Sequence, residues 1–217
     1  MAILKIARMG HPVLRRPAEA VSDLDAPDLQ RLIEDMVETM RDAEGAGLAA
    51  PQVHRSLRLI VFAVGPNRLR GEEVESDSAA DAESGAGAGV PLTVLINPDY
   101  APLDEEKDEA WEACLSIPGL AGRVPRYRHI RYWGTAPDGS TVEREAKGFH
   151  ARVVQHECDH LDGVLLTQRM ADMSTLIFTS EMNRFLEGEA EAQASDFRHV
   201  PESNPGDSHG ESGTNAA

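Results

Sequence analysis

The stretch that most constrains this chain is "VVQHECDHLDG", residues 153–163, where two histidines and a glutamate fall within five positions of an apolar segment. In a helix, His156 and His160 stand at i and i+4 on one face, which lets two imidazoles bind one metal ion. Glu157 would then lie where a carboxylate can act on water beside the metal. The alternative is two helix histidines that pair with Glu157 or Asp159 and bind no metal. The pattern alone leaves both readings open.

A catalytic metal needs a third protein ligand and one open position. The stretch "WEACLSIPG", residues 111–119, carries Cys114, which comes from another segment and can therefore join the two histidines. Cys158 lies two residues from each histidine, on the far side of the helix, so we predict a small core residue there. A zinc peptidase of the H-E-x-x-H kind would take its third ligand from downstream instead. The acids downstream, Asp162 and Glu181 among them, stand in contexts without a ligand signature.

A third stretch, "GAGLAAPQV", residues 45–53, predicts no more by itself than a helix stop and a loop. In combination the three stretches are more specific. The series G-x-G-L-A-A-P-Q, E-x-C-L-S and Q-H-E-x-D-H, in this order and spacing, resembles the peptide deformylases. The resemblance runs from about residue 3 to about residue 170.

The resemblance implies a metal-dependent enzyme that removes the formyl group from N-formylmethionyl nascent peptides and releases formate. Cys114, His156 and His160 would hold one divalent metal ion, with Fe²⁺ preferred and Zn²⁺ or Ni²⁺ as substitutes. One thiolate with two imidazoles suits such ions. Glu157 would take a proton from water and deliver it to the leaving amine.

The resemblance also assigns residues to the substrate. The Gln52 side-chain amide and the Leu115 backbone N–H would stabilise the oxyanion. Gly45 and Gly47 would let the peptide backbone come close, because they carry no side chain. Asp159 would steady a ligand without binding the metal itself.

The second motif departs from the family at one position, because Ala113 stands where the family usually has glycine. A methyl group there strains the backbone if the position needs a positive φ, or crowds the bound peptide if it faces the substrate. All ligands and the base are present, so we expect an active enzyme. A catalytically weak or silent deformylase-like protein is the alternative that Ala113 and the acidic additions suggest.

The order of the elements, with most strands first and the metal-binding helix late, predicts an α+β fold. The resemblance implies mixed or antiparallel strands packed around a central metal-binding helix. Apolar residues at helical spacing predict a helix over 28–44, with Asp25 as its N-cap and Gly45 as its stop. We further predict strands over 57–64 and 92–98, a hairpin around "PDGS", and helices over about 149–161 and 172–187.

The net charge of −16 is concentrated in three acidic stretches, residues 71–83, 104–112 and 187–217, and the remaining body is nearly neutral. A broad basic face for nucleic acid is therefore not expected. We predict one catalytic domain over 1–187, a mobile acidic insert at about 65–91 and a disordered acidic tail over 188–217.

The chain has two cysteines, no long apolar run and no signal-peptide pattern at its start. These features predict a cytoplasmic protein in a reducing compartment. The expected partners are N-formylmethionyl nascent peptides, and neither DNA nor a membrane. Any transient ribosome contact would not use a basic tail, because this tail is acidic.

Overall fold

The computed structural model describes residues 2–65 and 89–196. The described residues form three α-helices: α1 (Pro27–Asp42), α2 (Gly148–Leu161) and α3 (Met182–Asp196). They also form eight strands: β1 (Gly47–Ala49), β2 (Leu59–Val64), β3 (Val90–Pro102), β4 (Lys107–Cys114), β5 (Ile117–Tyr127), β6 (His129–Thr135), β7 (Thr141–Lys147) and β8 (Ile177–Phe178). One compact unit ends at Thr179, and a second begins at Ser180 and contains α3.

Strands β1, β2, β3, β6 and β7 form an antiparallel sheet in that order, and α1 and α2 cover its opposite faces. Strand β2 is buried on both faces because its side chains alternate between the two helices. Leu59 and Val61 join the cluster that contains the apolar side of α1. Ile60 and Phe62 join the cluster that contains the apolar side of α2.

Helix α2 is also tied to a second antiparallel sheet, in the order β4, β5, β8. The Gln155 side chain donates to the Tyr127 carbonyl at 2.9 Å and accepts from the Tyr127 N–H at 3.1 Å. The helix therefore bonds to one sheet while it packs on the other. This arrangement confirms the predicted α+β fold with a central helix.

Helix α1 matches its prediction in the middle and differs at both ends. Its N-cap is Ala26, without a side-chain hydrogen bond, so the expected cap by Asp25 is wrong. At the other end, the left-handed residue is Glu44, with φ 52°, rather than Gly45. The Gly45 N–H donates to the Met40 carbonyl at 2.9 Å and closes the helix end. A non-glycine residue in this conformation costs about 1 kcal/mol.

The predicted strands, the hairpin and the helix over 149–161 are confirmed, although β3 is longer than expected. The helix predicted over about 172–187 begins later than expected, at Met182, because short 3-10 turns and β8 occupy residues 173–181. The Asp172 side chain caps the first of these turns by accepting from the Ser174 N–H at 2.8 Å. Strand β8 then pairs with β5, with Phe178 opposite Leu120, and this long-range pairing interrupts the helix.

Residues 66–88, within the predicted insert, and 197–217, within the predicted tail, lie outside the described residues. Helix α3 runs through residues 188–196, so the helix continues into the first part of the segment assigned to the tail. The predicted domain limits stay a prediction. None of the described helices is both long and apolar enough to cross a membrane.

Candidate metal centre and active site

The two histidines of α2 and the cysteine at the end of β4 meet in space. The ligand atoms of Cys114, His156 and His160 lie within 4.8 Å of one another. Cys114 Sγ lies 3.3 Å from His160 Nε2, and the two imidazole centroids are 5.0 Å apart. In the described part of the chain, this is the one group of three such residues with metal-binding spacing.

The chemistry of these donors fits a single divalent metal ion. His156 Nδ1 is bonded to Glu112 Oε2 at 2.8 Å, which leaves its Nε2 for the metal. Burial raises the pKa of the Cys114 thiol, but the neighbouring His160 and His156 outweigh burial and hold that pKa well below its usual value. The thiolate, which is the form that binds metals, is therefore favoured. Cys158 lies elsewhere, in the apolar cluster under α2, as expected for a core residue.

Glu157 is a buried carboxylate next to the three donors. Its Oε2 atom has no hydrogen-bond partner among the described residues. Burial is the main cause that raises the pKa of Glu157 to about 7, and the charges of Cys114 and Glu112 add to it. The two histidines act in the opposite direction. A carboxyl group with such a pKa can both accept and release a proton near neutral pH.

Gln52 is buried and held in one orientation. Its Oε1 accepts from the Ala49 N–H at 2.8 Å, and its Nε2 donates to Ser116 Oγ at 3.2 Å. The same Nε2 lies 3.7 Å from Cys114 Sγ. The 3-10 turn over Ala50–Val53 therefore directs the amide donor of Gln52 toward the metal-binding residues.

A cavity of about 440 Å³ opens beside these groups. Seven of the eight predicted site residues line it: Gly45, Gly47, Gln52, Cys114, Leu115, His156 and Glu157. The eighth, His160, lies behind it in the metal-binding group. A Cβ atom on Gly47 would overlap Glu157 Oε1 and lie 2.7 Å from its Cδ, so the glycine makes room for the carboxylate as well as for a ligand.

Sequence reasoning missed a buried network of charges that orients His156. Glu112 accepts from Arg126 at 2.9 and 3.0 Å and from Arg152 at 2.9 Å, in addition to His156. Burial raises the pKa of Glu112, but the hydrogen bonds from His156 and Arg126 hold it well below its usual value. The available signal was the glutamate two residues before Cys114, together with an arginine in the apolar first half of α2.

Asp159 can support a ligand only indirectly, because its partners are two arginines. It pairs with Arg126 at 2.5 Å and with Arg169 at 2.7 Å. Arg126 also holds Glu112, and Glu112 holds His156. Asp159 therefore supports the ligand through two intermediates.

Ala113 is exposed on β4, opposite Ala121, and lines the cavity. It is not among the residues with positive φ, so the backbone strain that we considered for this position is absent. Crowding of a bound peptide, the other effect that we predicted for this alanine, stays a prediction.

The α+β fold places a buried cysteine, two histidines and a glutamate beside one cavity, an arrangement typical of hydrolases with a single metal site. The family model for polypeptide deformylase matches residues 3–175. A peptide deformylase of Bordetella pertussis is 49% identical over 174 residues, which cover 80% of this chain and 91% of the relative. A peptide deformylase of Nitrosomonas europaea is 45% identical over 180 residues, which cover 83% of this chain and 94% of the relative.

The fold agrees with solved structures of the same family. A class I type b peptide deformylase from Acinetobacter baumannii, bound to Met-Ala-Ser, has a TM-score of 0.65 at 32% identity, covering 78% of this chain and all of the other. The Thermotoga maritima peptide deformylase has a TM-score of 0.64 at 34% identity, covering 79% of this chain and all of the other. The chain belongs to the peptide deformylase family, which confirms the resemblance and the predicted kind of enzyme.

Proposed function

We propose that this chain hydrolyses the formyl amide of N-formylmethionyl peptides, with Cys114, His156 and His160 as ligands of one metal ion. The observation that carries the proposal is the group of three donors within 4.8 Å beside the buried, unsatisfied carboxylate of Glu157. A bound divalent metal supplies the Lewis acidity that makes water nucleophilic near neutral pH. We propose Fe²⁺ as the native ion, as the resemblance to the family implies, with Zn²⁺ or Ni²⁺ as substitutes. The sulfur and two nitrogen donors suit all three ions.

Glu157 is the proposed proton carrier. Its Oε2 accepts a proton from the attacking water and later passes that proton to the amine that leaves with the peptide. Its pKa of about 7 matches both halves of this task. Gln52 and Leu115 are the proposed oxyanion donors, through the Gln52 Nε2 and the Leu115 backbone N–H. The bond from Ala49 to Gln52 Oε1 supports this assignment, because it prevents the amide from turning its oxygen toward the substrate.

The peptide is proposed to bind as an added strand between two sheet edges. Among the described strands, β1 pairs only with β2, and β4 pairs only with β5. The cavity lies between their other edges, because residues 44–47 and 111–114 line its two sides. Unpaired edges bind extended peptides through backbone hydrogen bonds. The Met-Ala-Ser peptide bound by the Acinetobacter relative has the sequence that deformylation of formyl-Met-Ala-Ser would leave.

The proposed compartment is the cytoplasm, where nascent chains emerge. Both cysteines are free thiols in the structure, which fits a reducing environment. Any contact with the ribosome would be transient.

The test is an assay of protein purified anaerobically with Fe²⁺ and offered formyl-Met-Ala-Ser. We expect release of formate and no cleavage between the amino acids. Metal-loaded Glu157→Gln should keep full metal content and lose roughly 10²-fold or more in kcat, because the amide cannot accept a proton. Cleavage of the peptide bond would favour the zinc peptidase instead. Metal binding without turnover in the wild-type protein would favour the silent deformylase-like protein.

A further inference from the structure

The two proposed oxyanion donors lie in short turns, outside the regular strands. Gln52 belongs to a 3-10 turn. Leu115 and Ser116 are the two residues between β4 and β5, beyond the last pair of that ladder, Cys114 and Ile117. An oxyanion site depends on donors that are fixed before the reaction, because a displacement of about 1 Å at a reacting group already slows the rate. The contacts that hold the two turns relative to each other therefore bear on the rate.

Residues 7–9, which we name the N-terminal tether, bond to both turns through the backbone. The Ala7 N–H donates to the Gln52 carbonyl at 2.7 Å, and the Met9 N–H donates to the Ser116 carbonyl at 2.8 Å. The two donor nitrogens are two residues apart in the chain, so they lie at most roughly 7 Å from each other. The tether thereby limits how far the two turns can move apart.

The packing of the tether anchors one end and leaves the other near solvent. Ala7 is buried in the apolar cluster that also contains Cys114 and Ile117. The Met9 side chain is half exposed, so the backbone bond, more than side-chain packing, attaches this residue to the protein. The residues that line the described part of the cavity do not include 7–9, and the tether therefore lies outside the substrate site.

Ser116 links the two turns directly. It is fully buried, and its Oγ accepts from Gln52 Nε2 at 3.2 Å while its carbonyl accepts from the Met9 N–H. The residue that follows the donor Leu115 is thus bonded to the amide of the other donor. Ser116 is not among the described residues that line the cavity, so its hydroxyl acts on Gln52 and not on a peptide.

We infer that the N-terminal tether and the Ser116 hydroxyl are positioning elements that hold the Gln52 amide and the Leu115 N–H in the arrangement that an oxyanion needs. This inference rests on the proposed function. Oxyanion donors act on the transition state, so a loss of positioning lowers kcat and leaves KM nearly unaltered. A role in stability alone would lower the melting temperature and leave the kcat of the folded protein unaltered.

The first experiment removes one backbone donor from the full chain loaded with Fe²⁺, with formyl-Met-Ala-Ser as the substrate. Met9→Pro deletes the N–H that bonds to Ser116. We expect kcat to fall by roughly 3- to 20-fold, less than the roughly 10²- to 10³-fold for a deleted oxyanion donor, with KM within about twofold and full metal content. Arg8→Pro is the matched control, because the Arg8 N–H bonds to none of the described residues. Its kcat should stay within about twofold of the wild-type value.

The second experiment asks whether Ser116 acts through Gln52. Ser116→Ala should lower kcat by roughly 5- to 30-fold with KM and metal content nearly unaltered. In a protein that already carries Gln52→Ala, the same substitution should cost less than about twofold, because the amide that Ser116 holds is gone. Ser116→Ala removes a single oxygen atom, so this cycle decides the question even if Met9→Pro does not fold.

A kcat close to the wild-type value in both Met9→Pro and Ser116→Ala would overturn the inference, and so would equal losses in Met9→Pro and Arg8→Pro. Fully additive effects of Ser116→Ala and Gln52→Ala, or a loss of bound metal that matches the loss of rate, would overturn it as well. In each of these cases, formate release by the wild-type protein would still support the proposed function. A wild-type protein that releases no formate would overturn the proposed function and this inference with it.

Discussion

Replacement of Gly47 by alanine tests the close packing between β1 and Glu157. Gly47 does not have a positive φ, so alanine can adopt its backbone conformation and the effect of the methyl group is steric. The new Cβ would overlap Glu157 Oε1 and lie 2.7 Å from Cδ and 2.8 Å from Cγ. Ordinary carbon contacts lie at about 3.5–4.0 Å, so the carboxylate must move by roughly 1 Å. A displacement of that size at a reacting group costs about 10²-fold in rate.

We therefore expect Gly47→Ala to lose roughly 10²-fold in kcat and about 1–3 kcal/mol of stability, since Glu157 is buried and has little space to move. Metal content should be unaltered, because the three atoms nearest to the added methyl group all belong to Glu157. Gly45→Ala is the matched control. Its Cβ would lie 3.1 Å from the flexible end of Leu115 and 3.2 Å from the Gly47 carbonyl oxygen, both farther than the Glu157 atoms that a Cβ on Gly47 would meet, and we expect a loss of less than about tenfold. The measurements are formate release, metal analysis and thermal unfolding. Gly47→Ala with turnover within about threefold of the wild-type protein would refute the steric argument.

Three further substitutions, and one control at Cys158, probe the site. Cys114→Ser should weaken metal binding and abolish formate release, because a hydroxyl replaces a thiolate. Cys158→Ser should leave metal binding and formate release largely intact. The reverse pattern in metal titrations would contradict the ligand assignment. Glu112→Gln should weaken metal binding by roughly 10- to 100-fold, because the amide is a poorer acceptor for His156 Nδ1. An unaltered affinity in a metal titration would show that Glu112 does not contribute to metal binding. Ala113→Gly should raise kcat/KM on formylated peptides by roughly 3- to 30-fold with metal affinity unaltered, and a constant or lower kcat/KM would show that this cavity accommodates the alanine.

Local patterns in the sequence predicted the elements whose formation depends on near neighbours. The helical spacing of apolar residues predicted α1, and the turn signal "PDGS" predicted the hairpin of β6 and β7. The ends of α1 were predicted less well, because several nearby residues can end a helix. Gly45 and Glu44 were both available at this end, and the left-handed position falls on Glu44.

The late start of the last helix, at Met182 instead of about residue 172, has a different physical cause. The segment has residues that favour a helix, but the pairing of β8 with β5 competes with it. A strand of two residues has no periodicity of its own that a sequence pattern can detect. Its existence depends on a partner strand more than fifty residues earlier in the chain.

The sequence by itself determined which residues can bind a metal and act as a base, because ligand type and helical spacing are local properties. It thereby established the candidates Cys114, His156, Glu157 and His160. Only the tertiary structure decided how they are held, because the partners of each side chain come from distant segments. Glu112 and His156 are 44 residues apart in the sequence, and Cys114 and His160 are 46 apart. Their contacts therefore depend on how two sheets pack around one helix.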